Sequence, residues 1–452
     1  MSDSRSTGAT PAYPSPLYAW SVVAILVIAC MLSYVNRQVV AIVLEPMKTD
    51  LGLTDTMISL LYSSFAASYA LAGLPLARWA DTYNRKWLIT GGMVVWSVMS
   101  VVSGLTRQYL LVFMARIGLG AGEAILTPAT NSMAGDLFPR HRIPLALSVF
   151  QTGAIMGSAI AFIIGGAALQ VMQDLSQHAL PLVGRLAPWQ LTFVVVGMPG
   201  FALSIVLLFL REPIRRNLAG MTAPARKGVP LSEIAAFYRR NWRTLVFHHI
   251  GFLAFSLAGF AFVFWTVAFF TRVHHVAPGE ASEIFGWIFL IAGPAGVVWA
   301  GLLAGRFTRR GRRDANILAG LIGGALTIPV IILIQLMPNA TWAFVLYAPA
   351  LFFVNSPFGL AFGALPVITP APMRAQVAAV YMLTASAGMA FGPVIAGAFN
   401  DHIFTGAQGV RYSMIALTAI CGVIGIGCLM ACRRHYVSSL DEADAVESAT
   451  IP

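Results

Sequence analysis

Long apolar runs dominate this sequence and restrict it to one broad class of fold. We count twelve, each long enough to cross the roughly 30 Å hydrocarbon core of a bilayer as a helix. Of the 452 residues, 58% are hydrophobic and only 10% are charged, a composition that soluble domains do not approach. The sequence predicts an all-α membrane protein with twelve transmembrane helices, centred near Ile28, Phe65, Val95, Gly118, Ile155, Leu203, Phe260, Ile291, Leu321, Leu351, Ala387 and Val423.

The net charge of +11 is divided unevenly between the two sides of the predicted bundle. Most Lys and Arg residues fall in the amino-terminal tail, the long middle loop and the loops on that same side. Because basic loops stay in the cytoplasm, we expect both termini and the middle loop to be cytoplasmic and the protein to lie in the inner (plasma) membrane. The basic charge therefore reflects topology, and no nucleic-acid partner is expected. The opposite side carries few bases, namely Lys48, Arg107, Arg185, Arg272 and Arg411.

Two opposite charges, Arg116 and Glu123, lie in the fourth apolar run. Their seven-residue spacing puts both on one helix face, about 10 Å apart along the axis. Charge at membrane depth is costly and marks functional sites by default, so we expect a buried proton-exchanging and substrate-binding site here. Neighbouring glycines would let another helix approach closely, and Pro128 would loosen the helix one turn later. The alternative is an ion pair that only packs two helices.

Polar residues in other runs are candidates to line the same cavity. The first run turns polar at Tyr34, Asn36 and Arg37, although Arg37 could instead snorkel to the interface. Tyr62 and Tyr69 share one face of the second run and either line the path or pack. In the second half of the chain the substrate-lining candidates are Trp265, Thr266, Asn355, Tyr381 and Thr384.

No motif for a cofactor, a metal or ATP is present in the sequence. The four cysteines have no metal-ligand spacing and suggest no disulfide framework. A phosphate-binding Gly-rich loop ending in Gly-Lys-Ser/Thr is missing, so ATP drive by this chain is not expected. No His or Ser is placed beside Glu123 by a motif, which disfavours an intramembrane enzyme with Glu123 as general base.

The turn after the second run, residues 77–86 with sequence ARWADTYNRK, resembles the Gly-x-Leu-Ala-Asp-Arg-x-Gly-Arg-Lys signature of the major facilitator superfamily. Asp81, Arg85 and Lys86 match it. The same pattern is repeated at 301–310, where Gly305 replaces the acid. A second repeated pattern relates the segment at Arg142 to the segment at Arg374. Two six-helix halves therefore repeat in parallel, as the resemblance implies.

The domain boundaries follow from this repeat. We predict a cytoplasmic tail at 1–16, a six-helix bundle at 17–211, a basic linker at 212–242, a second bundle at 243–434 and an unstructured cytoplasmic tail at 435–452. Within the linker, apolar residues near helical spacing predict either a helix lying on the membrane surface or a plain tether.

A narrower resemblance rests on Ser33 to Arg37, on Arg116 to Ala124, and on the run DLFP at 136–139 that leads to Arg142. These segments resemble the spinster family of lysolipid and sphingolipid transporters, whose fourth helix carries Arg and Gly-Glu-Ala at this spacing. That family usually has Asp where Asn36 stands, so a second acidic proton site on the first helix is not implied here.

The repeat, the twelve runs and the buried charge together predict a secondary transporter that works by alternating access. Arg37 and Arg116 outnumber Glu123, so the site should hold an anionic or zwitterionic lipid-like substrate, coupled to protons. The alternative substrate is a small organic anion. The resemblance also implies a cytoplasmic gate formed by Asp81, Arg85, Arg142 and Arg374. Membrane lipids would surround the protein, and we expect a monomer.

Overall fold

The structure, a computed structural model, describes residues 13–139, 141–175, 185–215 and 229–450. This part of the chain is helical throughout. Fifteen α-helices and one short 3₁₀ turn, Ala371–Met373, follow one another. The helices are α1 Pro16–Ile42, α2 Leu44–Leu51, α3 Asp55–Thr82, α4 Arg85–Leu105, α5 Tyr109–Glu123, α6 Leu126–Leu137, α7 Ile143–Leu175, α8 Pro188–Leu208, α9 Leu231–Arg240, α10 Trp242–His274, α11 Pro278–Arg309, α12 Ala315–Leu336, α13 Ala340–Ile368, α14 Arg374–His402 and α15 Gly409–Thr450.

The twelve predicted membrane spans are confirmed within the described residues. Twelve helical segments are long and apolar enough to cross a bilayer, and each contains one of the predicted centres. The fourth span is divided into α5 and α6. Helix starts follow local sequence: Ser15 caps α1 ahead of Pro16, and Asn84 caps α4 by accepting a hydrogen bond from the Trp87 amide.

The two halves meet along two seams, α3 against α14 and α7 against α11. Glycines hold both seams close. A Cβ on Gly397 would lie 2.8 Å from the Asp55 carbonyl oxygen, and one on Gly279 would lie 2.8 Å from that of Gly166. Ser282 adds a 2.8 Å hydrogen bond to the Phe162 carbonyl across the second seam. Side chains larger than glycine would separate the backbones at these points.

Charged contacts between the halves concentrate at the end of the bundle where α3 begins, here called the Asp55 side. Arg272 of α10 bonds Asp55 and, at 2.6 Å, Glu45. The Asp401 carboxylate accepts hydrogen bonds from the amides of Asp55, at 3.0 Å, and Thr56. These bonds cap the free amides at the start of α3 and tie the second half to the first.

At the opposite end, called the linker side because α9 lies there, the buried residues of the two halves fall in two different clusters, of which the first-half cluster also takes in Ala390 from the middle of α14. One contains Phe138 and Leu207 of the first half. The other contains Leu245 and Leu429 of the second half. A third core spans both halves toward the Asp55 side, where the Tyr62 and Phe264 rings pack 5.0 Å apart. The bundle is thus joined at the Asp55 side and divided at the linker side.

The predicted unstructured tail is wrong for most of its length, because α15 continues to Thr450. Apolar residues one turn apart, Tyr436 and Leu440, are buried against the second half. The Tyr436 hydroxyl donates a 2.7 Å hydrogen bond to the Ala364 carbonyl. The tail is polar overall, so its composition did not predict a helix that packs against the second half through one apolar face. The linker does contain a helix, α9. Its position on the membrane surface stays a prediction.

Candidate functional site

Glu123 is the last residue of α5 and lies at a break in the fourth span. Ala124 and Ile125 form a turn before α6 begins. Pro128, one turn further on, has no amide hydrogen to complete a continuous helix. Before the break, glycines let α5 approach α4 closely. A Cβ on Gly122 would lie 2.9 Å from the Gly92 carbonyl oxygen of α4. The sequence therefore places an acid at a fixed interruption deep in the bundle.

The Glu123 carboxylate is bonded to α1. Its Oε2 accepts a 2.6 Å hydrogen bond from Ser33 and a 3.1 Å charge-assisted bond from Arg37 Nε. All three residues are buried, with Glu123 1% exposed. Its second oxygen, Oε1, has no hydrogen-bond partner among the described residues. Because buried polar atoms normally have one, this oxygen is available to a ligand or a proton.

Aromatic rings enclose the Arg37 guanidinium. Its central carbon lies 4.3 Å from the ring centroid of Tyr34, 4.4 Å from that of Tyr69 and 5.1 Å from that of Phe65. Such contacts stabilise a cation by about 0.5–1 kcal/mol at exposed sites and by about 2 kcal/mol when the cation is shielded from water. The rings provide an apolar wall beside a positive charge.

Arg116 lies near this cluster but bonds differently from the prediction. Its Nη1 donates to the Asn36 carbonyl at 3.1 Å and its Nε to the Leu61 carbonyl at 3.4 Å. The ion pair of Glu123 therefore forms with Arg37 rather than with Arg116. Arg116 joins α5 to α1 and α3, and its Nη2 has no partner in the described part of the chain. The Asn36 side chain bonds back to Leu32, which leaves its Oδ1 likewise free.

Tyr62 lies close enough to Arg37 and Arg116 to interact with their charges, whereas the predicted lining residues of the second half make their bonds elsewhere. Tyr62 packs against Phe264. Trp265 is buried and donates a 3.0 Å bond to the Pro393 carbonyl. Three hydroxyl or amide side chains bond carbonyls of their own helices, namely Thr266, Asn355 and Thr384. Tyr381 is buried among the rings of Phe362, His248 and His249.

Among the side chains that the structure describes, the predicted gate residues Arg85, Arg142 and Arg374 do not bond one another. Arg85 is buried within the first half, where it bonds Asp136 and, at 2.7 Å, Glu212. Arg142 and Arg374 are exposed, and Arg374 bonds the Thr369 carbonyl of its own half. The Asp81 side chain lies outside the described residues. A gate involving Asp81 stays a prediction for a state in which the linker side is closed.

Two parts of the site were missed from sequence. Ser33 stands one turn before Arg37, and this i, i+4 spacing could have indicated that both reach the same partner. The contacts of Asp55 with Arg272 join residues far apart in the chain, and no local pattern indicates such a pair.

The comparison with protein families decides what this bundle is. The model described as Major Facilitator Superfamily matches residues 26–370. The chain belongs to the Major Facilitator Superfamily. It is therefore a multi-pass membrane transporter, and the enzyme alternative is set aside.

Relatives within this superfamily confirm the predicted resemblance to spinster proteins. A solved bacterial homologue of the human lysosomal transporter spinster, in an inward-facing and unoccupied conformation, is 25% identical, with a TM-score of 0.82 over 94% of this chain and 99% of that chain. The sphingosine-1-phosphate transporter SPNS2 of Danio rerio is 26% identical over 67% of this chain and 60% of that protein. An MFS-type efflux pump of Mycolicibacterium smegmatis is 25% identical over 95% of this chain and 96% of that protein.

Proposed function

We propose that this chain is a proton-coupled secondary transporter that moves an amphipathic anionic or zwitterionic substrate, lysolipid-like or sphingolipid-like, by alternating access. The observation that carries the proposal is the buried Glu123 carboxylate bonded to Arg37, with one oxygen that no described residue bonds. A lone acid at membrane depth, paired with a base from another helix, is an arrangement that proton-coupled transporters use.

Coupling would arise because the ionised Glu123 carboxylate and an anionic substrate compete for Arg37. An ionised Glu123 attracts the Arg37 guanidinium, whereas a protonated Glu123 keeps only a neutral hydrogen bond to it. Protonation would therefore free Arg37 to bind an anionic head group. Loss of the proton would draw Arg37 back to Glu123 and release the substrate. By linkage, substrate binding must raise the affinity for the proton by the same factor.

Charge and shape around the cluster support a lipid-like substrate. Arg37 and Arg116 give two positive charges against one carboxylate, so a positive excess remains when Glu123 is ionised. Tyr34, Phe65 and Tyr69 supply an apolar wall next to that charge. A head group with a phosphate and an adjoining apolar chain would satisfy both features. The similarity to a protein named as a sphingosine-1-phosphate transporter points in the same direction.

The two ends of the bundle support alternating access. The halves are joined by Arg272 and Asp55 at one side and have separate cores at the other. If the basic linker side is cytoplasmic, as the charge distribution favours, this is an inward-facing state of a plasma-membrane protein. Rocking of the halves about the Glu123 cluster would then expose it to the opposite side.

Transport into proteoliposomes tests the proposal. Uptake of a radiolabelled lysophospholipid is measured with and without an imposed pH gradient, alongside a small carboxylate of equal charge. We expect the gradient to drive lysolipid uptake and a protonophore to abolish it. Gradient-driven uptake of the carboxylate alone would favour the organic-anion alternative. Uptake of lysolipid that ignores the gradient would refute proton coupling.

A further inference from the structure

A groove of about 330 Å³ opens on the outer surface of the first half, between the linker-side ends of α3 and α4. Those two helices hardly touch each other, and both pack on α5. Consequently α5 forms the floor of the groove, with Gly122 and Ile125 at its inner end. The groove extends along α4 from Trp87 to Val95, a distance of about 12 Å at the rise of an α-helix.

This groove lies on a different face of α5 from the transport site. Gly122 faces α4, since a Cβ there would lie 3.1 Å from the Trp96 amide nitrogen. Glu123 faces α1, where it bonds Ser33 and Arg37. An occupant of the groove would therefore not enter the Glu123 cluster.

Two adjacent glycines of α4 serve different purposes here. A Cβ on Gly92 would lie 2.6 Å from the Gly122 carbonyl oxygen, so Gly92 allows the helices to touch. A Cβ on Gly91 would meet nothing within 4 Å. Gly91 lines the groove without serving helix packing, and a side chain at this position would fill the space.

The mouth of the groove has the chemistry of a membrane interface. Trp79 and Trp87 flank it and are 51% and 59% exposed. Half-exposed tryptophans are typical of the head-group level of a bilayer, where the indole N–H can reach polar atoms. The groove therefore opens into the lipid, with its mouth at the head groups and its inner end among the acyl chains.

Positive charge surrounds this mouth. Lys86 Nζ lies 5.1 Å from the Trp87 ring centroid, and Arg78 is exposed beside Trp79. Arg215 reaches the end of α3, where it donates a 3.1 Å bond to the Ala80 carbonyl. The acids Asp136 and Glu212 are bonded to Arg85. Counted together, the four bases Arg78, Arg85, Lys86 and Arg215 exceed the three acids Asp81, Asp136 and Glu212 by one.

We propose that the groove binds one anionic phospholipid of the bilayer, with an acyl chain between α3 and α4 and its phosphate at the Trp79–Trp87 mouth. Inside a membrane an acyl chain gains nothing from the hydrophobic effect when it enters an apolar groove. Head-group charge therefore selects the occupant, and the basic mouth favours an anionic phosphate over a zwitterion.

Native mass spectrometry of the purified full-length protein tests this by counting bound lipid during titration with phosphatidylglycerol or with phosphatidylcholine of the same chains. Gly91→Leu fills the groove. Gly73→Leu is its matched control, because a Cβ on Gly73 also meets nothing within 4 Å while Gly73 does not line the groove. The double variant Arg78→Gln/Lys86→Gln removes the charge at the mouth. Its control is Arg243→Gln, whose guanidinium stacks on Trp242 in the second half, 5.5 Å from the ring centroid.

We expect the unmodified protein to hold one phosphatidylglycerol at least tenfold more tightly than phosphatidylcholine. Gly91→Leu should lose that lipid while Gly73→Leu retains it. Arg78→Gln/Lys86→Gln should bind both lipids about equally, and Arg243→Gln should keep the preference. The proposal is overturned if Gly91→Leu holds phosphatidylglycerol as tightly as Gly73→Leu. It is also overturned if the unmodified protein binds the two lipids equally. Neither result depends on what the transporter carries.

Discussion

Arg272 of the second half bonds both carboxylate oxygens of Asp55 in the first half, with Nη2 2.9 Å from Oδ1. Asp55 is only 2% exposed. The pair therefore holds one end of the bundle shut with a nearly dry ion pair, whose rupture is far more costly than that of a surface pair.

Asp55→Asn should open this end. Removing one partner of a buried pair costs about 3 kcal/mol, which corresponds to about a hundredfold shift in a two-state equilibrium. Spin labels at Arg107 and Gln408, both exposed on the Asp55 side, should report longer distances in the variant. Lys48→Gln is the control, because Lys48 bonds the same carboxylate from within the first half and is 30% exposed at its side chain. Unchanged distances in Asp55→Asn would mean that packing alone closes this end.

Glu123→Gln should abolish transport driven by a pH gradient and leave the fold intact. The amide oxygen can still accept the bonds from Ser33 and Arg37 but cannot carry a proton. Gradient-driven uptake and substrate binding are measured on the same preparation. Glu280→Gln, at an exposed site in the first turn of α11, should behave like the unmodified protein. Persistent gradient-driven uptake in Glu123→Gln would place the coupling site elsewhere.

Arg37 and Arg116 should respond differently to replacement by Gln. Arg37→Gln should weaken binding of an anionic substrate more than that of a neutral analogue, because Arg37 is the cation that Glu123 holds. Arg116→Gln should mainly reduce stability, by about 1–3 kcal/mol, since the residue satisfies carbonyls of two other helices. Binding of the paired ligands and thermal unfolding are measured together. If Arg37→Gln weakened binding of the charged and the neutral ligand equally, Arg37 would have only a packing role.

Asp314 should make the attachment of α15 sensitive to acid. Burial raises the pKa of Asp314, but hydrogen bonds from Arg312 and Arg433 more than offset this, so its pKa lies below the ordinary 3.8. A lowered pKa means that the stabilisation is complete above the ordinary value and is lost as the pH falls through the folded-state pKa. The protection of residues 433–442 against hydrogen exchange, corrected for the slower intrinsic exchange at low pH, should therefore fall in acid.

Asp314→Asn should bring that loss of protection to neutral pH and remove its dependence on acid, at a cost of about 1–2 kcal/mol in stability. Asp441→Asn is the control, because its pair with Arg313 is exposed, at 62% and 41% of the two side chains, and such pairs contribute little. Equal effects of the two variants would show that Asp314 has no special role.

Local sequence was enough to predict the spans and to single out Glu123 as a buried acid within one of them. An apolar run of about 20 residues is a property of one segment, and so is a charge within it. The partner of Glu123 was not predictable in this way. Spacing on α5 pointed to Arg116, whereas the packing of α1 against α5 brings Arg37 to the carboxylate. Which helices become neighbours depends on the whole bundle.

The second half illustrates the same limit. Thr266 was a candidate for the substrate path because it is polar in an apolar run, but its hydroxyl is satisfied 2.7 Å from the Phe262 carbonyl of its own helix. A threonine in a helix can always make this bond, so its polarity alone carries little information about a cavity. Trp265 likewise uses its N–H to bind the backbone of α14.

The bare glycine contacts along the seams affect the speed of switching as well as its equilibrium. Where Gly166 meets Gly279 and where Gly397 meets the start of α3, the two backbones are in contact because glycine has no side chain to separate them. At these two glycine contacts the halves could change their relative angle without a prior rearrangement of side-chain rotamers. At the Asp55 side the activation barrier to opening would then reside in the ion pairs that cross the seam and in the core shared by both halves, where Tyr62 packs on Phe264.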